Sequence, residues 1–218
     1  MDELLSEKEQ IERIRQWWRE NGWYLVGGAV LAGLGYLGFD QYQAWRTRVA
    51  EEAAAKYQEL RLVLEDDDRE SAERLLAELE AEHSGSAYLD QARLLIAEDS
   101  LIRDTERSIS ELEAVVEQSD DPGLVSIARL RLARVLAYAE QYDRALAVLN
   151  IAEPGEFAAR FSEVRGDIHA ATGNTEAAVS AYTDALLGAG NGTVNRELVQ
   201  LKLNDLIQAR EPESGDEG

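Results

Sequence analysis

An unbroken apolar run near the N-terminus is the first feature of the chain. Trp23–Phe39 contains seventeen residues without a charge. As a helix at about 1.5 Å per residue, this run reaches roughly 26 Å, close to the thickness of the hydrocarbon core of a bilayer. Aromatic residues gather at both ends, as they do at membrane interfaces. The pattern predicts a transmembrane helix over residues 21–40.

Residues 1–20 form a distinct, charged segment before this run. Ile11, Ile14 and Trp18 fall on one helical face with charges around them, which predicts a short amphipathic segment at the membrane surface. A cleaved signal peptide is the alternative. Such a peptide starts with a basic region and ends in small residues. Here the first 20 residues carry a net charge of −2 and the run ends at Phe39, which favours a retained anchor.

Small residues mark one face of the predicted span. Gly28, Ala32 and Gly35 share a helical face, and small residues let a second membrane helix approach closely. They therefore predict a helix-packing surface. The alternative is the ordinary tolerance of glycine inside lipid.

The charges beside the span indicate its direction only weakly. Four basic residues precede it and three follow it before residue 60. This small excess favours an N-terminus on the cytoplasmic side.

The rest of the chain, residues 41–210, has the composition and periodicity of helices. It is rich in Ala, Leu, Glu and Arg, which favour helix, and it lacks the alternating β-branched stretches of a sheet. An all-α fold follows, with a loose acidic tail over residues 211–218. The pattern predicts helices at Ala72–Glu82, Tyr88–Ile102, Thr105–Val116 and, as a cap with polar outer positions, Val194–Ala209, with first-turn prolines at Pro122 and Pro154.

Two segments of this region repeat with a period of 33 residues. LRLARVLAYAEQYDRALAVLNIA from Leu130 superposes on EVRGDIHAATGNTEAAVSAYTDA from Glu163. Gly166 then corresponds to a small residue in the first copy, and Tyr182 to a large one. This is the spacing of tetratricopeptide repeats, in which a small residue in the first helix lets the second helix pack close. The fold class is therefore an N-terminal transmembrane helix followed by a tetratricopeptide-repeat-like α-solenoid.

The first helices of such repeats line a concave face where partners bind. Repeats that hold a terminal carboxylate need Lys, Arg or Asn at several of these positions, but Leu130, Glu163 and Asp167 replace them here. The groove is not expected to bind C-terminal carboxylates in that way. The predicted partner-binding residues are Leu130, Arg134, Tyr138, Arg160, Glu163 and Asp167.

Charge excludes one large class of partners. The net charge is −21, of which −2 lies in residues 1–39, which leaves −19 for the remainder. A surface this acidic repels phosphate backbones, so nucleic-acid binding is not expected. The acidity is either a solvated surface or a face that attracts cationic clients.

No arrangement in the sequence has the pattern of a catalytic or metal site. The chain lacks cysteine, and His83 and His169 are far apart without metal-ligand spacing. The acidic cluster Glu65–Asp68 lacks the spaced ligands and glycine of a calcium loop, so it is expected to connect two helices. We therefore expect no enzyme, no metal and no cofactor. A regulatory enzyme subunit or hydrolase has no residue to support it.

The order of these features resembles a known family. A charged helix, QIERIRQWWRENG from Gln10, precedes the glycine-rich span. The degenerate repeats contain RLRLARV from Arg129 and RGDIHAATGN from Arg165, and LVQLKLNDL from Leu198 closes the chain. The combination is similar to the YfgM-type ancillary subunit of the bacterial Sec translocon over nearly the whole chain.

This resemblance implies a role and a location. It implies a single-pass inner-membrane protein with a cytoplasmic N-terminus and a periplasmic repeat domain. The implied partners are the Sec translocon, a membrane-anchored periplasmic chaperone of the prolyl-isomerase type and exported polypeptides. The implied function is a non-enzymatic adaptor that helps transfer exported chains to periplasmic chaperones. A membrane-tethered repeat scaffold for another cell-envelope assembly is the alternative, and only the identity of the partners separates the two.

Overall fold

A computed structural model describes residues 7–151, 154–191 and 194–210, and every regular element in these ranges is helical. The predicted all-α fold is confirmed. The predicted tail over 211–218 and the first six residues of the predicted amphipathic segment lie outside the described residues. The helices are α1 Glu7–Glu65, α2 Arg69–Glu82, α3 Ala87–Ser100, α4 Thr105–Gln118, α5 Pro122–Tyr138, α6 Tyr142–Leu149, α7 Ala158–Ala171, α8 Thr175–Gly188 and α9 Arg196–Arg210, with short 3-10 turns at Gly155–Phe157 and Ala189–Asn191.

The chain divides into two compact units, the first of which is Met1–Glu52. Its apolar run lies on α1 with its side chains uncovered: Trp23 is 80% exposed and Tyr24 is 75% exposed. Among the described residues, this is the one helix long and apolar enough to cross a membrane. Because α1 continues without a break past residues 20 and 40, the predicted segment boundaries at those positions remain predictions.

The second unit, Ala53–Gly218, is built from helical hairpins. The end of α1 pairs with α2, and α3–α4, α5–α6 and α7–α8 follow, with α9 packed on α8. Three apolar clusters hold them: the first joins the end of α1 to α2 and α3, the second runs from α3 to α7, and the third joins α7, α8 and α9. Each hairpin thus buries its apolar face against its neighbours, as solenoid repeats do.

Three of the hairpins turn in the same way. Asp67, Glu140 and Gly173 have positive φ values of 64°, 58° and 74°. In each turn the following backbone N–H donates to a carbonyl five residues back, which closes the helix with a Schellman motif. These bonds run from Asp68 to Val63 (2.8 Å), from Gln141 to Leu136 (2.8 Å) and from Asn174 to His169 (2.9 Å). The acidic stretch Glu65–Asp68 is therefore a helix connection, as predicted.

Two local predictions need correction. Pro122 is the first residue of α5 as expected, but Pro154 precedes the 3-10 turn Gly155–Phe157 and α7 begins only at Ala158. Gly155 adopts a φ of +54°, which an α-helix does not contain. The outer side of α9 is also less polar than expected, since Leu198 and Leu201 are 43% and 58% exposed.

The close contact inside the last hairpin explains the small residue of the repeat. A Cβ atom on Gly166 would lie 2.5 Å from Cδ1 and Cε1 of the Tyr182 ring. Tyr182 is 2% exposed, so it has little room to move away. The ring of α8 therefore packs directly on the backbone of α7.

Substituting Gly166 with Ala is expected to destabilise the fold by about 1–3 kcal/mol, because the added methyl overlaps a buried ring. Urea denaturation followed by circular dichroism measures the change. Gly85→Ala is the matched control, because a Cβ atom at Gly85 meets nothing within 4 Å. Equal stability of the two variants would contradict the close packing.

The repeated turn predicts a stabilising substitution. Glu140 is an exposed non-glycine residue in the left-handed region, where a Cβ atom costs about 1–2 kcal/mol. We expect Glu140→Gly to raise the free energy of unfolding by about 0.5–1 kcal/mol after the entropy of the unfolded chain is counted. Gly173→Ala, at the same position of the next repeat, is expected to lower it by a similar amount. Denaturant titration of both variants gives the sign of the change in the free energy of unfolding. A loss of stability in Glu140→Gly would contradict the left-handed backbone at this position.

Candidate functional site

Two adjoining cavities lie along α5 and together form what we call the α5 cleft. The first has a volume of about 300 Å³ and lies among α3, α4 and α5. The second has a volume of about 320 Å³ and lies between α5 and the start of α7. The first is lined by Leu94, Ala97, Glu98, Leu101, Ser108, Leu112, Arg131, Arg134 and Val135. The second is lined by Ile127, Leu130, Arg131, Arg134, Glu156, Phe157 and Arg160.

The structure brings together three of the six predicted partner-binding residues. Leu130, Arg134 and Arg160 all line the second cavity of the α5 cleft. Leu130 is buried at 6% exposure, so it belongs to the wall of that cavity. Tyr138, at the end of α5, is 65% exposed and lines neither cavity. The prediction that these four residues bind a partner remains a prediction.

The other two predicted residues are engaged within the fold. Glu163 is only 3% exposed, and its carboxylate lies 3.5 Å from Lys202 Nζ and accepts a 2.8 Å hydrogen bond from Arg160 Nη1. Asp167 Oδ1 accepts hydrogen bonds of 2.7 Å from both Lys202 Nζ and the Tyr182 hydroxyl. Burial, and then the hydrogen bond to Asp167, raise the pKa of Tyr182. We call these five residues the α9 lock, because Lys202 extends from α9 to two carboxylates of α7.

The α9 lock changes the charge expected for the concave face. The sequence placed two acidic residues there, but both carboxylates are paired with basic side chains. A partner that needed Glu163 would first have to break bonds to a buried charge, which is costly. A partner that needed Asp167, which is half-buried, would have to replace its bonds to Lys202 and Tyr182. The charges left along α5 are therefore mainly those of its arginines.

Helix α5 is cationic within an otherwise acidic protein. Its 17 residues include three arginines and no acidic residue. Arg129 donates a 3.3 Å hydrogen bond to the Val148 carbonyl, and Arg131 lies 3.6 Å from Glu98. Arg134 is exposed and makes no ion pair or hydrogen bond with the described part of the chain. The sequence contains a signal for this cationic helix, since Pro122–Tyr138 has three arginines and no acidic residue. Arg131 was nevertheless not among the predicted partner-binding residues.

A second charged cluster, buried between α2, α3 and α4, was not predicted at all. Arg93 is 7% exposed and donates hydrogen bonds to Gln118 (2.9 Å) and Glu80 (3.2 Å). Glu111, 4% exposed, lies 2.9 Å from Arg107 Nη1. Burial raises the pKa of Glu111. These pairs join three successive helices and are enclosed by them, so we assign them to the fold.

The predicted packing face of the membrane helix is open. Cβ atoms built on Gly28 and Gly35 meet nothing within 4 Å in the described chain, and Ala32 is exposed. This face is therefore free to contact another helix, and such a contact remains a prediction.

The two histidines lie apart. His83 follows α2 and is buried, whereas His169 lies half-buried on α7. Within residues 7–151, 154–191 and 194–210, no three His, Asp or Glu side chains are grouped so that they could hold a metal ion.

Comparison with known proteins places this architecture in a family. A tetratricopeptide repeat-like domain family matches residues 15–208. A Neisseria gonorrhoeae protein named ancillary SecYEG translocon subunit is 30% identical over 93% of this chain and 98% of its own length. Proteins with the same name from Haemophilus influenzae and Escherichia coli K12 are 27% and 25% identical, over 93% and 92% of this chain and 98% and 97% of their own lengths. No solved structure gives a significant match.

The α9 lock predicts that Lys202 is needed for stability. Lys202→Met removes the cation from a carboxylate that is 3% exposed, and a buried charge without its partner is costly. Because Arg160 still pairs with Glu163, we expect a loss of about 1–3 kcal/mol rather than unfolding. Denaturant titration measures it. Arg196→Met is the matched control, since it removes a different basic residue of α9, an exposed one outside the lock. An equal loss would show that Lys202 does not hold the helix.

Proposed function

We propose that the chain, which belongs to the tetratricopeptide repeat-like family that matches residues 15–208, is a membrane-anchored, non-enzymatic adaptor of the Sec translocon. The basis is its similarity to proteins named ancillary SecYEG translocon subunit. In this role the apolar part of α1 anchors the chain in the inner membrane. The second unit, Ala53–Gly218, binds partner proteins and helps transfer exported polypeptides to periplasmic chaperones.

The main support for an association with the translocon is the extent of the similarity to the named relatives. The similarity includes the apolar N-terminal helix as well as the repeats, and it covers 97–98% of each relative's length. Within the described residues, one helix that can cross a membrane is followed by hairpins with an open cleft, and this arrangement suits an adaptor. The names of the relatives describe a translocon subunit and the matched family is repeat-like, which supports a binding role.

The periplasmic location and the chaperone partner are finer parts of the proposal. The excess of basic residues before the apolar run favours a cytoplasmic N-terminus, which would place Ala53–Gly218 in the periplasm. A membrane-anchored chaperone of the prolyl-isomerase type is the proposed partner there, on the family resemblance alone. The alternative, a scaffold for a different envelope assembly, has the same anchor and repeats and differs only in what it binds.

Purification of the chain from bacterial membranes in mild detergent tests this function. We expect the translocon subunits to co-purify with it, together with a periplasmic chaperone. Recovery of cell-wall or division proteins without the translocon would favour the alternative scaffold.

The same experiment tests the packing face of the membrane helix. Gly28→Leu with Ala32→Leu is expected to abolish recovery of the membrane partner, because the larger side chains prevent close helix contact. Gly27→Leu with Val30→Leu places leucines away from that face and is the matched control, expected to leave recovery unchanged. A membrane partner retained equally by both double variants would rule out this face.

A further inference from the structure

We propose that the α5 cleft binds an extended segment of a partner polypeptide in which acidic residues lie between two apolar residues. This specificity rests on the proposed adaptor function and adds the chemistry of the partner. It is the reverse of a cationic client, which the overall charge of −21 would favour.

The charge of the cleft is the first argument. Arg131, Arg134 and Arg160 line it, together with Glu98 and Glu156. Arg160 is already bound to Glu163, so Arg131 and Arg134 are the guanidinium groups that face a ligand. Glu98 is already near Arg131 at 3.6 Å, and Arg134 has no ionic partner in the described chain. An exposed guanidinium beside an apolar surface is a strong donor for a carboxylate, to which it can present two parallel N–H groups.

The walls of the cleft are the second argument. The first cavity is lined mainly by apolar side chains, among them Leu94, Leu101 and Leu112. The second contains Ile127, Leu130 and Phe157. Each has a volume of about 300 Å³, which is large enough for a leucine-sized side chain. Burying such a side chain contributes favourably through the apolar area removed from water.

The position of the arginines between the cavities sets the order of the ligand residues. Arg131 and Arg134 line both cavities. They are three residues apart on α5, which is about 4.5 Å along the helix axis. An extended chain advances roughly 3.3 Å per residue. One or two acidic residues over the arginines therefore leave an apolar residue at each side, one for each cavity.

The α9 lock removes the competing charges from this face. Glu163 and Asp167 are the acidic residues that would repel an acidic ligand beyond Arg160. Lys202 lies 3.5 Å from Glu163 and 2.7 Å from Asp167. Arg160 also pairs with Glu163 at 2.8 Å, so two cations balance these two carboxylates. The remaining acidic surface is screened beyond about 8–10 Å at ordinary ionic strength.

Fluorescence anisotropy with a labelled synthetic peptide tests the proposal on the full 218-residue chain in detergent micelles. The probe is Gly-Leu-Glu-Glu-Leu-Gly, measured at about 0.15 M salt. We expect it to bind at least tenfold more tightly than Gly-Leu-Lys-Lys-Leu-Gly and than Gly-Ala-Glu-Glu-Ala-Gly. The first comparison tests the arginines and the second tests the cavities.

Variants of the chain locate the binding. Arg134 is exposed, and Arg134→Glu is expected to lower the affinity for the Glu-Glu peptide at least tenfold. Arg74→Glu makes the same change in net charge on α2, outside the cleft, and is expected to leave affinity within twofold. Circular dichroism confirms that both variants fold.

Four results would overturn the inference. They are no binding of the Glu-Glu peptide, equal or tighter binding of the Lys-Lys peptide, equal or tighter binding of the peptide with alanines in place of leucines, and an Arg134→Glu variant that behaves like Arg74→Glu. Co-purification of the translocon is scored separately. If the translocon co-purifies and any of these results is obtained, the proposed ligand chemistry alone is refuted. If the peptide binds as expected but the translocon does not co-purify, the translocon association alone is refuted.

Discussion

The last hairpin of the second unit depends on the close approach of its two helices, α7 and α8. The clearest case is the contact between the Tyr182 ring and the backbone of Gly166, where no Cβ atom fits. A side chain at this position would push α8 away from α7 and open the third apolar cluster. Because a single hairpin cannot bury its own apolar face, the separation inside one hairpin also decides how well the next one packs.

The closing helix α9 does more than cover the last hairpin. Lys202 extends from it to Glu163 and Asp167, and Asp167 also accepts the hydroxyl hydrogen of Tyr182. The residue that makes the tight hairpin contact is thus also part of the ionic network that holds the cap. This arrangement neutralises the acidic residues of α7 and leaves the arginines of the cleft as its main charges. In the proposed role, the arginines of the cleft contact the partner, while the acidic surface that gives the chain its net charge of −21 stays in contact with solvent.

Much of the architecture followed from local properties of the sequence. The apolar run Trp23–Phe39 predicted the membrane helix, and the period of 33 residues predicted the hairpins and the close contact at Gly166. These features are visible because they depend on residues near one another in the chain. The matching turns at Asp67 and Glu140 were not visible, because left-handed backbone is signalled by glycine and neither residue is one. The start of α7 was misplaced because a proline marks the beginning of a 3-10 turn as well as that of an α-helix.

The candidate site shows where the sequence alone stops. The repeat pattern placed Leu130, Arg134 and Arg160 on one concave face, and the structure brings them together in one cavity. It placed Glu163 and Asp167 there too, but their partner Lys202 lies 35 and more residues away, on a helix whose position depends on packing. The sequence by itself determined the composition of each helix, including the three arginines of α5 without an acidic residue. Only the tertiary structure decided which of the charges are neutralised, because ion pairing depends on distances between helices that local periodicity does not contain.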